Sequence, residues 1–95
     1  MTTVAPRAVR RIAAHAAREV DGVGGDVTAE ATVDGESTTL DIRLPLAYPA
    51  PITATAEAVR AHLLGRTAEL TGLTTRRVDI TAEPARHEQP KRRVR

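Results

Sequence analysis

The sequence predicts an α+β fold. Two helices pack on one face of a three- or four-stranded, mainly antiparallel sheet, in the order (β)-α-β-β-α-β, as a two-layer sandwich. Three features point to it. A run from Pro6 to Gly25 has one apolar stripe on a helical period. Two alternating segments flank Asp34-Gly35, the strongest hairpin signal in the chain. A second helical run follows, closes at Thr71-Gly72, and gives way to alternation again.

Residues 2–5 read as a short leading strand or an ordered lead-in. Pro6 then suits the first helical position, where its missing N–H costs no hydrogen bond. Val9, Ile12, Ala13, Ala16 and Val20 fall on one side of a 3.6-residue period, with Arg7, Arg10, Arg11, Arg18 and Glu19 on the other sides. Asp21-Gly22 is expected to end this helix, with Gly22 as its left-handed cap, and Gly24-Gly25 to add a flexible turn.

From Asp26 to Val33 the period becomes two: Val27, Ala29, Ala31 and Val33 alternate with Thr28, Glu30 and Thr32. A two-residue turn at Asp34-Gly35 places Val33 opposite Glu36, Ala31 opposite Thr38, Ala29 opposite Leu40 and Val27 opposite Ile42. Small residues of the first strand then meet large ones of the second. Leu44 and Leu46 extend the second strand, and Pro45 argues for an edge position or a bulge. Tyr48-Pro49-Ala50-Pro51 is a stiff connector. Thr53 or Thr55 is a candidate cap for the next helix, whose stripe reads Ile52, Ala56, Val59, Leu63 and Leu70, interrupted by Thr67. Thr71-Gly72 stops it and Leu73 folds back. Val78, Ile80 and Ala82 then alternate with Arg77, Asp79 and Thr81 in the last strand, closed by Pro84. Residues 1–84 form one domain, and 85–95 a basic tail expected to be disordered.

The 95 residues leave room for one thin core of Ala, Val, Leu and Ile, with Tyr48 as the single aromatic residue. Such a core favours stability shared with a second copy. With no cysteine, disulfides, thiolate metal sites and a cysteine nucleophile are excluded. No run approaches the 18 or so apolar residues of a membrane span, and the start of the chain does not read as a signal peptide. The net charge of +2 divides unevenly: residues 84–95 carry +4 and residues 1–83 carry −2. The positive charge is a tail rather than a basic domain.

Catalytic chemistry finds little support. His15, His62 and His87 lie at no metal-ligand spacing, and no acid completes an HExxH pattern. They read as surface histidines. Ser37 has no histidine near it in sequence. Glu30, Asp41 and Asp79 fall on one sheet face among threonines and arginines, the pattern of a solvated open sheet. Glycines 22, 24 and 25 follow a helix and precede a strand, the reverse of a dinucleotide-binding turn. No catalytic residue, metal site or cofactor is expected, and no small-molecule substrate.

Three stretches carry a resemblance to a family: VAPRAVRRIAAHAAREVDGVGG, YPAPITATAEAVRAHL and ELTGLTTRRVDITAEP. With Val4-Ala5-Pro6 at the helix entry, Glu19-Val20-Asp21-Gly22-Val23 at the turn, and Thr71-Gly72-Leu73 before Val78-Asp79-Ile80, the chain resembles the alkaline-shock, Gls-type envelope stress response proteins in a short actinobacterial form. That resemblance covers about residues 3–83. It implies a non-enzymatic protein linked to cell-envelope stress, cytoplasmic or held at the inner face of the membrane through a partner protein. It brings no catalytic or ligand residues.

The expected function is therefore that of a small scaffold or interaction module. It would associate with itself, with a membrane-associated protein, or with both, through a sheet edge or the Thr-rich sheet face. The alternative is a nucleic-acid-associated protein using the Arg-rich first helix and the tail, disfavoured because the folded part is acidic and lacks stacking aromatics. The candidate interaction surface is Arg7, Arg10, Arg11, Arg92 and Arg93.

Overall fold

The computed structural model describes residues 4–47 and 49–84. Its elements are α1 (Pro6–Arg18), β1 (Thr28–Asp34), β2 (Ser37–Leu46), α2 (Ile52–Thr71) and β3 (Thr74–Pro84). The strands form one sheet in the order β1-β2-β3. Of the expected leading strand, residues 2 and 3 lie outside the described residues, while Val4 and Ala5 are not in a strand; Tyr48 of the connector and the tail, 85–95, also lie outside them.

The sheet is not mainly antiparallel. β1 and β2 run antiparallel, but β2 and β3 run parallel. The cause is the length of α2. Its 20 residues span about 30 Å at 1.5 Å per residue, enough to carry the chain back along β2 so that β3 starts from the same end. β2 is thus the central strand, which corrects the edge position expected from Pro45. Pro45 is tolerated because β1 pairing ends at Thr28↔Arg43, two positions before it. There the Val23–Gly24 stretch replaces the ladder: the Gly24 N–H donates to the Pro45 carbonyl (2.9 Å), and the Ala47 N–H to the Gly22 carbonyl (2.8 Å).

That crossing also corrects the reading of Gly24 as part of a flexible turn. A Cβ on Gly24 would lie 2.8 Å from the backbone nitrogen of Ala47 and 2.9 Å from its Cα, so only glycine lets the two backbones approach this closely. Gly22 has φ 99° but does not cap α1. The helix ends four residues earlier, at Arg18, with Glu19 still right-handed.

The hairpin forms where expected, two residues out of register. Asp34 pairs with Ser37, Val33 with Thr38, Ala31 with Leu40 and Ala29 with Ile42. The turn is Gly35-Glu36 rather than Asp34-Gly35. Gly35 takes φ 63° as the first turn residue, and Asp34 stays in the strand, where its carbonyl accepts a bond from the Ser37 hydroxyl (3.1 Å). A shift of two keeps every side chain on its expected face.

The core lies between the sheet and both helices. It comprises Leu40, Ile42, Leu44 and Leu46 of β2, Val9, Ala13, Ala16 and Ala17 of α1, and Val59, Leu63, Leu73 and Val78. In α1, Ala17 is buried while Ile12 is half-buried, so the stripe sits one position round from the expected one. In α2 the buried line is Thr55, Val59, Leu63 and Thr67. Ile52 and Leu70 fall on the same line, yet both, at the first and next-to-last positions of the helix, are exposed. Neither Thr53 nor Thr55 caps α2, since Pro51 takes the N-cap position without a side-chain bond. The C-terminus of α2 follows expectation: Gly72 is left-handed (φ 75°), its N–H donates to the Ala68 carbonyl, and Leu73 is buried.

Candidate functional site

The described polar chemistry gathers at the seam between α1 and α2. Glu19, just past the end of α1, projects toward α2. Its Oε1 lies 2.7 Å from His62 Nε2 and 3.7 Å from Arg66 Nε, and its Oε2 lies 3.7 Å from His15 Nε2. Arg66 Nη1 also donates to Glu69 Oε1 at 2.9 Å. The hydrogen bond to His62, with the nearby charge of Arg66, holds the Glu19 carboxyl below its ordinary pKa. His15 and Glu19 share a helix face at i, i+4, and the packing of α1 on α2 delivers His62 and Arg66. The sequence shows the first relation. The second joins residues 43 apart, and no local signal announces it.

The cluster ties α1 to α2. It lies at the surface, and among the described residues no group of three or more His, Asp or Glu could hold a metal ion. Ser37 serves the hairpin turn. Glu30, Asp41 and Asp79 do line up, as directly paired neighbours in one row across the three strands, all exposed on the open sheet face. Like charges so placed weaken a sheet, and Arg77 Nε offsets one of them at 3.1 Å from Asp79 Oδ2.

Of the predicted interaction residues, Arg7 and Arg11 are exposed on α1 and Arg10 is half-buried on its flank. Arg92 and Arg93 lie outside the described residues. Arg18, outside that predicted set, is exposed on the same side as Arg7 and Arg11. At about 100° per residue these three fall within about 40° of one another, opposite Val9, Ala13 and Ala16. An open cleft beside them is lined by Arg11, His15, Arg18, Asp26 and Val27.

No family model matches the chain, and no curated protein matches its sequence. Solved structures match its shape. A nickel form of a variant MamM C-terminal domain has a TM-score of 0.70 and 20% identity, covering 84% of this chain and 99% of that one. A cadmium form of another variant gives 0.68 and 23%, covering 84% and 96%. A third MamM C-terminal domain gives 0.68 and 22%, covering 83% and 98%. At this identity the likeness is one of fold.

These comparisons overturn the resemblance to alkaline-shock proteins. The similar structures are C-terminal domains of a cation diffusion facilitator, with a ferredoxin-like fold, and no envelope-stress link follows. The misleading motifs are local devices of helix ends. Ala5-Pro6 is an N-cap followed by an N1 proline, and Thr71-Gly72-Leu73 is a left-handed cap with an apolar fold-back. Any small α+β domain can use both. No helix of the described residues is long and apolar enough to cross a membrane.

Proposed function

We propose that this domain is a non-catalytic interaction module that associates with a second copy of itself through the outer edge of β3, and that it works alongside a membrane-associated protein. The observation that carries this reading is the longer of the sheet's two outer edges. β3 is 11 residues long, bonds to β2 on one side, and has no strand on its other side among the described residues. An unpaired strand of this length is a template for another.

Only part of that edge is guarded. Arg60 Nη1 donates to the Val78 carbonyl, and Arg76 is the extra residue of a bulge, since Thr75 pairs with Thr38 and Arg77 with Thr39. Both devices sit in the first half of β3. The stretch from Asp79 to Pro84 stays in regular register with β2. Pairing of two such stretches would continue the sheet from one copy into the next. The likeness to C-terminal domains of a cation diffusion facilitator supports a module that serves a membrane protein.

Light scattering after size exclusion, with amide hydrogen exchange across a concentration series, tests the proposal. A dimer should form, and protection of residues 79–84 should rise with concentration. A monomer at every concentration, or a dimer leaving these amides unprotected, overturns the β3 edge as the contact.

A further inference from the structure

We propose that the outer face of the helix layer docks on an anionic membrane surface, with the arginine stripe of α1 on the headgroups and the outward apolar strip of α2 against the acyl boundary. This inference does not rest on self-association through β3.

The stripe is costly to the fold. Arg7 lies in the first turn of α1, where the positive end of the helix dipole disfavours a cation, and no acid in that turn compensates. Arg7 and Arg11 are a like-charged i, i+4 pair, which destabilises a helix. Among the described residues, none of Arg7, Arg11 and Arg18 makes a salt bridge, although Arg66 and Arg77 do. Three cations are thus aligned on the side of α1 farthest from its core, with no salt-bridge partner among the described residues; Asp26 lines the cleft beside Arg11 and Arg18 without forming a bridge. An uncompensated local cost of this kind points to a partner outside it.

The second feature is the face of α2 in the same layer. Opposite its buried line of Thr55, Val59, Leu63 and Thr67 lie Ala54, Ala58, Ala61, Leu64, Gly65 and Ala68, all exposed. Leu64, 43% exposed, marks the β3 side of that sector, where it lines an open cleft with Arg60, Arg76, Arg77 and Val78. Glu57 is the charged residue of that sector. A solvent-facing helix side normally carries charge, and this one is nearly bare of it. Cations beside exposed apolar residues are the makeup of an interfacial surface.

The rest of the molecule supplies the orientation. The open sheet face, on the far side, holds Glu30, Asp41, Asp79 and Glu83 against Arg43 and Arg77. A plane of negative charge attracts the helix layer and repels the sheet, which selects one way for the molecule to lie. A nucleic-acid strand would use the arginines but leave the bare face of α2 unexplained, and no aromatic stacking platform accompanies them.

The test is sedimentation of the full chain with vesicles of phosphatidylcholine alone or mixed equally with phosphatidylglycerol. Binding should require phosphatidylglycerol and weaken with salt. R7Q/R11Q/R18Q should lower apparent affinity about a hundredfold, at roughly 1 kcal/mol per charge. L64E should reduce the binding that survives added salt, and R43Q on the sheet face should leave binding unchanged, with circular dichroism confirming that each variant folds. Equal binding to both vesicle types overturns the proposal, as does no binding to either. So does binding that the triple variant keeps but removal of residues 85–95 abolishes, since the tail would then be the contact. A DNA duplex bound more tightly than the anionic vesicles, and lost in the triple variant, would reassign the stripe to nucleic acid.

Discussion

Glu19 shows how one side chain can join two elements. Its carboxylate accepts the His62 hydrogen bond and sits within reach of Arg66 and His15. Folding thereby favours the ionised form and lowers its pKa. The sign follows by linkage: the contribution is complete above the unfolded glutamate value, about 4.3, and is lost as pH falls through the lower folded value. E19Q removes the charge at every pH. The expected result is a small loss of thermal stability that is widest above about pH 4.3 and closes as the wild-type carboxyl is protonated. Melting curves of both proteins across the acid range measure it. A gap that stays constant into acid would mean that shape and hydrogen bonding, rather than charge, make the seam. Pairing at this seam could not be read in the sequence, because each histidine alone looks like a surface residue and only helix packing brings them to one acid.

At the scale of elements, the sequence was most legible where a period repeats. The hairpin faces follow from spacing alone, since a shift of two residues leaves the alternation of Ala29 and Ala31 against Leu40 and Ile42 intact, and the α1 stripe follows to within one position, Ala17 being buried in place of Ile12. Strand direction was not legible. Nothing in the composition of β3 states whether it runs with or against β2; the crossover helix decides. The α2 stripe departs from its sequence spacing for a related reason. Leu70 and Ile52 have core chemistry, yet at the helix ends they are exposed, whereas Thr55 and Thr67, nearer the middle, are buried. Thr67 carries a consequence. Its side chain is fully buried and its Oγ1 has no hydrogen-bond partner, so the hydroxyl is desolvated without return. Thr67→Val keeps the shape and the β-branch and removes the polar atom. It should stabilise the protein by about 1 kcal/mol, read as a higher denaturation midpoint at unchanged slope. A lower midpoint would show that the hydroxyl is hydrogen-bonded in solution.

For the molecule as a whole, the decisive quantity is the thinness of the core. A chain of 95 residues has a stability of at most about 5–14 kcal/mol by the usual per-residue range. Here the helix side of the core is largely alanine: three of the four buried α1 residues are Ala13, Ala16 and Ala17. Small side chains allow α1 to approach β1 and α2 closely, but each removes little apolar area from water. The load falls on the large residues of the central strand. Leu40 is fully buried, faces Ala31 across the antiparallel pair and Val78 across the parallel one, and so touches both halves of the sheet. Leu40→Ala should cost about 2–5 kcal/mol, near the upper value because alanines on the facing side offer no long side chain to fill the void. Against a small total, that is enough to broaden or abolish the cooperative unfolding transition near body temperature. Because β3 pairs with β2 at Leu40↔Val78, the edge proposed for self-association should weaken together with the core. Denaturant titration at low and high protein concentration separates the two effects. If dimerisation adds to stability, the wild-type midpoint rises with concentration, and the L40A midpoint rises by less. A variant that loses its core stability but keeps the full concentration dependence would place the contact between copies away from β3.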